Sequence, residues 1–175
     1  MKKEILHYGN RMSNNILTTP THPVEYIDKK LHAHIQSMHD VLDHSKDFAV
    51  GLASNQINGD YRIFVYRDDN HKLHTVINPY IVEEDRLCSE IEGCLSFPNT
   101  WTIVPRYRDI IVEYVDFLSG DSRKESFSGF LARLFQHEID HLEGILFIDY
   151  LDKEEQDEFL ARYARNNRST KGFRR

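Results

Sequence analysis

Cysteine is nearly absent: Cys88 and Cys94 are the only two among 175 residues. Two cannot build a disulfide framework. The fold is therefore expected to suit a reducing compartment, where a cysteine is free to bind metal or do chemistry. Long apolar runs are missing as well. No stretch approaches the ~20 apolar residues needed to span a bilayer. The opening MKKEILHYGNRM lacks an apolar run of signal-peptide length. Nor is there an excess of positive charge. The formal net charge of −6 argues against a general nucleic-acid binder. Internal repeats and a convincing linker are also lacking. These absences predict a single cytoplasmic, monomeric domain with no membrane partner.

What is there is ordinary for a globular domain: 40% hydrophobic and 29% charged residues. A chain of this length is expected to bury roughly 70% of its unfolded surface. The charge is unevenly spread. From Arg162 to Arg175 there are six basic residues and no acidic ones. The plainer expectation is a solvated, flexible tail over 166–175. The sharper one is an arm that touches a polyanion such as ribosomal RNA.

Residues 1–24 read as irregular. From Glu25 to Ser45, Ile27, Leu31, Ile35, Met38 and Leu42 recur at steps of three and four, which predicts one apolar helical stripe. His32, His34, His39 and His44 fall mostly off it and are expected to be exposed and to bind no metal. Strands are predicted at YRIFVY, HTVINP, YIVEE, WTIVPR and DIIVEYVDF, and SGD reads as a turn into SRKESFS. A helix follows from about Ser128 to Gly144, and ILFIDYL reads as a returning strand. Asp152 with Glu155 forms a capping box for a last helix. The pattern is α+β: mostly antiparallel strands wrapped around a central helix, with one helix before and one after.

The central helix carries FQHEIDHLEG. Residues i and i+4 lie on one helical face. His137 and His141 can therefore point at one ion, and Glu138 can reach a water beside it. Phe130 and Leu134, one to two turns earlier, are apolar, so this face is expected to be buried. Two imidazoles need a further ligand. A third histidine at the metzincin spacing is excluded, because Phe147 stands there. Glu158, on a later helix, is one candidate. Cys94, in EGCLSFP, is the other, and a Cys–His–His set with an open position suits zinc or ferrous iron.

Three segments in this order, GLASNQ (51–56), EGCLS (92–96) and QHEIDH (136–141), resemble the peptide deformylase family. The last two match its motifs fully. The first departs from them, with Ala49 where the family has glycine and Ser54 where it has alanine. The resemblance runs from about residue 25 to 152. It implies hydrolysis of the formyl group from N-formylmethionyl nascent peptides, within a catalytic domain over 1–165. It implies that Cys94, His137 and His141 hold one divalent metal, ferrous iron, at a site that also accepts zinc, nickel or cobalt. Glu138 becomes the general acid and base, with Gln56 and the Leu95 backbone N–H steadying the developing oxyanion. Gly51, Val50, Phe130, Leu134 and the stem of Arg133 are expected to seat the methionine and its backbone. Glu92 and Arg106 are expected to pair and brace the EGCLS segment. Two rivals remain at this point: an amidase of the same fold acting on another N-acyl peptide, and a non-catalytic ribosome-binding protein.

Overall fold

The structure, a computed structural model, describes residues 3–45 and 49–168. Its elements run in chain order: α1 (Arg11–Leu17), α2 (Lys29–Asp43), β1 (Gly51–Ala53), a 3-10 turn (Ser54–Ile57), β2 (Ile63–Arg67), β3 (Leu73–Cys94), β4 (Phe97–Asp116), β5 (Ser122–Ser128), α3 (Phe130–Leu142), a second 3-10 turn (Phe147–Tyr150) and α4 (Lys153–Arg168). The five strands form one antiparallel sheet in the order β1-β2-β3-β4-β5.

Helices cover the sheet on both sides. Leu31, Ile35 and Met38 of α2 pack with Leu52, Ile63, Val65 and Ile77. Ala132, Phe135, Ile139 and Leu142 of α3 pack with Ala53, Phe64, Val76, Ile110 and Val112. The consecutive residues Ile63, Phe64 and Val65 therefore face both layers in turn, as expected of a strand buried on two sides. A third cluster joins α4 to the end of the sheet through Phe97, Phe147, Phe159 and Tyr163.

Several expectations need correction. Residues 1–24 contain α1, whose Asn10 cap accepts from Ser13 N at 2.9 Å. The segments expected as separate strands merge into two long ones. Asn78-Pro79 and the following residues bend β3 at register shifts between Ile77 and Tyr80 and between Ile81 and Glu83, without ending it. ILFIDYL is a turn, not a strand. The Asp149 carboxylate accepts from Leu146 N at 2.8 Å and closes it. Helix α3 ends at Gly144 as expected, with φ at +73°. The Asp152–Glu155 box closes the start of α4 in both directions. Helix α4 runs on to Arg168, and Asn166 and Asn167 hydrogen-bond the carbonyls of Asn99 and Pro98. The rest of the basic tail, 169–175, lies outside the described residues.

His34 is the clearest departure on α2: it is buried, not exposed. Its Nε2 lies 2.8 Å from the Ser54 hydroxyl, so the residue that breaks the family pattern faces α2. His39 is half-buried against Thr75. Burial, with Lys3 near by, pushes the His34 imidazole down to about 4 from 6.5. Between those values the unfolded chain binds a proton that the folded chain refuses. The stability this group contributes is whole above pH 6.5 and is lost as pH falls towards 4. Solvent screening leaves an effect on the order of 2 kcal/mol. His34→Gln is expected to lose that much less stability than the parent between pH 7 and pH 4, in urea titrations at each pH. Equal losses in the two proteins would refute this account.

Candidate metal centre

Three separate stretches of chain meet at one cavity of about 480 Å³. The 3-10 turn supplies Gln56, the end of β3 supplies Cys94, and α3 supplies His137, with His141 one turn on behind Cys94. One ligand atom each from Cys94, His137 and His141 lies within 4.8 Å of the others. The Cys94 sulfur is 3.2 Å from His141 Nε2. The two rings are nearly perpendicular, with centroids 4.9 Å apart. Glu158, the other ligand weighed above, is exposed on α4 and outside this group. Cys88 is outside it too.

One imidazole is oriented from behind, while His141 Nδ1 is buried with no hydrogen-bond partner among the described residues. His137 Nδ1 lies 2.9 Å from Glu92 Oε2, which leaves Nε2 for an ion. Glu92 in turn accepts from Arg106 Nε at 2.8 Å, and Arg106 also pairs with Asp140 of α3. Burial alone would raise the Glu92 carboxyl. The hydrogen bonds and charges of His137 and Arg106 outweigh it and hold the carboxyl at about 2. The expected Glu92–Arg106 pair is therefore present and almost fully buried. Asn55, in the 3-10 turn, donates to the backbone carbonyl of His141. The set is a thiol and two imidazoles at close range, the His137 ring fixed by buried Glu92 and the His141 backbone by Asn55. It fits one divalent ion.

Glu138 is 3% exposed, and its Oε2 has no hydrogen-bond partner among the described residues. Burial pushes its carboxyl up to about 7, against the pull of a charged His137. The Gln56 amide is fixed at both ends. Its oxygen accepts from Ala53 N at 2.8 Å, and its nitrogen points at Ser96 Oγ (3.1 Å) and Cys94 Sγ (3.4 Å). Val50, Gly51, Leu95, Phe130, Arg133 and Leu134 all line the same cavity. The Arg133 head lies 3.4 Å from the exposed Glu90 carboxylate. Sequence reasoning did not single out Asn55, Ser96 or Asp140. Their contacts join residues far apart in the chain, and no local spacing signals them.

The polypeptide deformylase family profile matches residues 2–157. A peptide deformylase of Treponema pallidum is 40% identical over 149 residues, which is 85% of this chain and 90% of that protein. The crystal structure of a Legionella pneumophila peptide deformylase superposes with a TM-score of 0.88 at 28% identity, over 99% of this chain and 100% of that one. A peptide deformylase of Ehrlichia chaffeensis, solved in complex with actinonin, gives 0.82 at 27% identity, over 95% and 98%. The chain belongs to the polypeptide deformylase family and is a metal-dependent enzyme that removes the formyl group from N-formyl peptides.

Proposed function

We propose that Cys94, His137 and His141 hold a ferrous ion and that Glu138 handles the protons of deformylation. The observation that carries this is the convergence of those three donors beside a buried carboxylate oxygen with no partner. A divalent ion held there supplies positive charge that acidifies water and polarises the formyl carbonyl. Glu138 Oε2 takes a proton as water adds to the formyl carbon. It then returns that proton to the nitrogen as the C–N bond breaks, so formic acid and a free amine leave, and the acid gives up its own proton to become formate. The Gln56 amide nitrogen and the Leu95 N–H face the oxygen that gains charge, and one such donor is worth roughly 3–4 kcal/mol. Val50, Phe130 and Leu134 form the apolar slot for methionine, with the stem of Arg133 at its rim. Gly51, on the free edge of β1, meets the peptide main chain as a neighbouring strand does.

The deciding experiment compares steady-state rates on formyl-Met-Ala and acetyl-Met-Ala peptides, with metal analysis of anaerobically purified protein. Strong preference for the formyl peptide and about one iron per chain are expected. Equal or reversed preference would favour the amidase reading instead. The protein is read as a cytoplasmic monomer acting on nascent chains. Co-sedimentation with ribosomes, with and without residues 169–175, decides whether the tail adds a second partner.

Gly51 tests the geometry of the slot. A methyl group added there would stand 2.7 Å from Leu134 Cδ1 and 2.9 Å from the Glu138 carboxyl carbon. Gly51→Ala is expected to cost about 1–3 kcal/mol in overpacking. By displacing Glu138 it should also lower kcat about 100-fold. Unchanged kcat in a folded variant would mean that Glu138 has room to spare and that its placement is not critical.

A further inference from the structure

Beyond residue 84, β3 and β4 continue as a two-stranded arm. Over Leu87–Gly93, β3 pairs only with β4, since its pairing with β2 ends at Ile77. Cross-strand partners share a face. The pairs Leu87–Tyr107, Ile91–Ile103 and Gly93–Trp101 therefore lie on one side of the arm. The opposite side carries Glu92, Val104 and Arg106, all buried. On the outer side Leu87 is 66% exposed, Ile91 65%, Ile103 59% and Trp101 54%. Four large apolar side chains left in water on one short ribbon are unusual away from an interaction site.

This strip is continuous with the cavity. Ile91 and Trp101 belong to both, and Phe130, 50% exposed, stands on the far rim. The Trp101 indole occupies the space beside Gly93, with Nε1 2.6 Å from where a β-carbon would stand. Cys94 follows at once. A peptide seated at the metal centre and continuing past Ile91 and Trp101 meets this strip.

We propose that the outer face of the arm, through Ile91, Trp101 and Ile103 with Leu87 beyond them, binds one apolar side chain of the substrate's third-and-fourth residue pair and favours nascent chains that are apolar there. The inference rests on the seating of the formyl peptide described above. Successive side chains of an extended chain point to opposite sides, so one of the third and fourth residues faces the strip whichever way the peptide is turned. Main-chain contact at Gly51 is indifferent to sequence. The strip adds a contact that is not.

The test is kcat/KM for formyl-Met-Ala-Leu-Leu amide relative to formyl-Met-Ala-Ser-Ser amide. Burying one exposed apolar side chain predicts a ratio of about tenfold, arising in KM. The double variant Ile91→Ser, Ile103→Ser should bring the ratio to near one while melting at the parent temperature, since both side chains are on the surface. Trp101 is the single tryptophan, so its emission is a second readout. Met-Ala-Leu-Leu amide should shift it to the blue, and Met-Ala-Ser-Ser amide should not. A ratio near one in the parent, or a ratio the double variant keeps, would overturn the proposal. So would a dimer at assay concentration that the double variant dissolves, which would assign the strip to a second copy of this chain. Flotation with phosphatidylglycerol vesicles that the double variant loses would assign it to a membrane. If neither formyl peptide turns over, the roles proposed for the metal centre fail, and the fluorescence shift still decides this one.

Discussion

Glu138→Ala is expected to keep the metal content of the parent and to lower kcat on formyl-Met-Ala about 1,000- to 10,000-fold, the upper range for loss of a general acid and base. Both halves come from geometry. The donors gathered for an ion are Cys94, His137 and His141, and Glu138 is not among them. Its carboxyl lies in the cavity, buried, with Oε2 unpartnered. A group in that state costs stability, since burial of an unpaired polar atom is unfavourable by at least about 1 kcal/mol. The variant should therefore melt no lower than the parent, and it may be compared directly by calorimetry. Lost turnover with equal or greater stability and full metal content is the signature of a residue kept for chemistry alone. Retained turnover would remove Glu138 from the proton path. Lost metal would make it a ligand.

The metal centre was legible because its chemistry is carried by rare residue types at rigid spacings. His137 and His141 share a helical face by arithmetic alone; with a third histidine excluded by Phe147, Cys94 and Glu158 stayed open until the EGCLS motif singled out Cys94. Helix α2 was legible for a similar reason, since its stripe repeats over four turns. Helix α1 was not. It is seven residues long, has no stripe, and is held by its Asn10 cap and by Leu17 in the third cluster. ILFIDYL misled because a short apolar run is buried equally well as strand or turn. His34 misled because its partner, Ser54, is brought to it by the fold. The same is true of Asn55, which reaches the His141 carbonyl across 86 positions. Pairwise contacts between polar residues distant in sequence leave no periodic trace, and the support behind the metal ligands is built from them.

That support gives the second large effect. Glu92→Leu is expected to destabilise the protein by about 3–5 kcal/mol, because it strands the buried Arg106 with Asp140 as its only remaining carboxylate. It should also weaken metal binding about 10- to 100-fold, because His137 Nδ1 loses its acceptor and the ring its fixed orientation. The two losses have different origins, and a double variant separates them. Adding Arg106→Leu removes the stranded charge, so the pair Glu92→Leu, Arg106→Leu should recover part of the stability in urea. The recovery is partial because Asp140, itself largely buried, then keeps only Tyr150 as a side-chain partner among the described residues. Metal retention should not recover, since His137 still has nothing to donate to. Competition with a chelator measures that term without reference to turnover. If stability and metal retention return together, Glu92 acts on the ligand only by holding the fold. If stability returns and retention does not, its hydrogen bond to His137 is what prepares that ring for the ion.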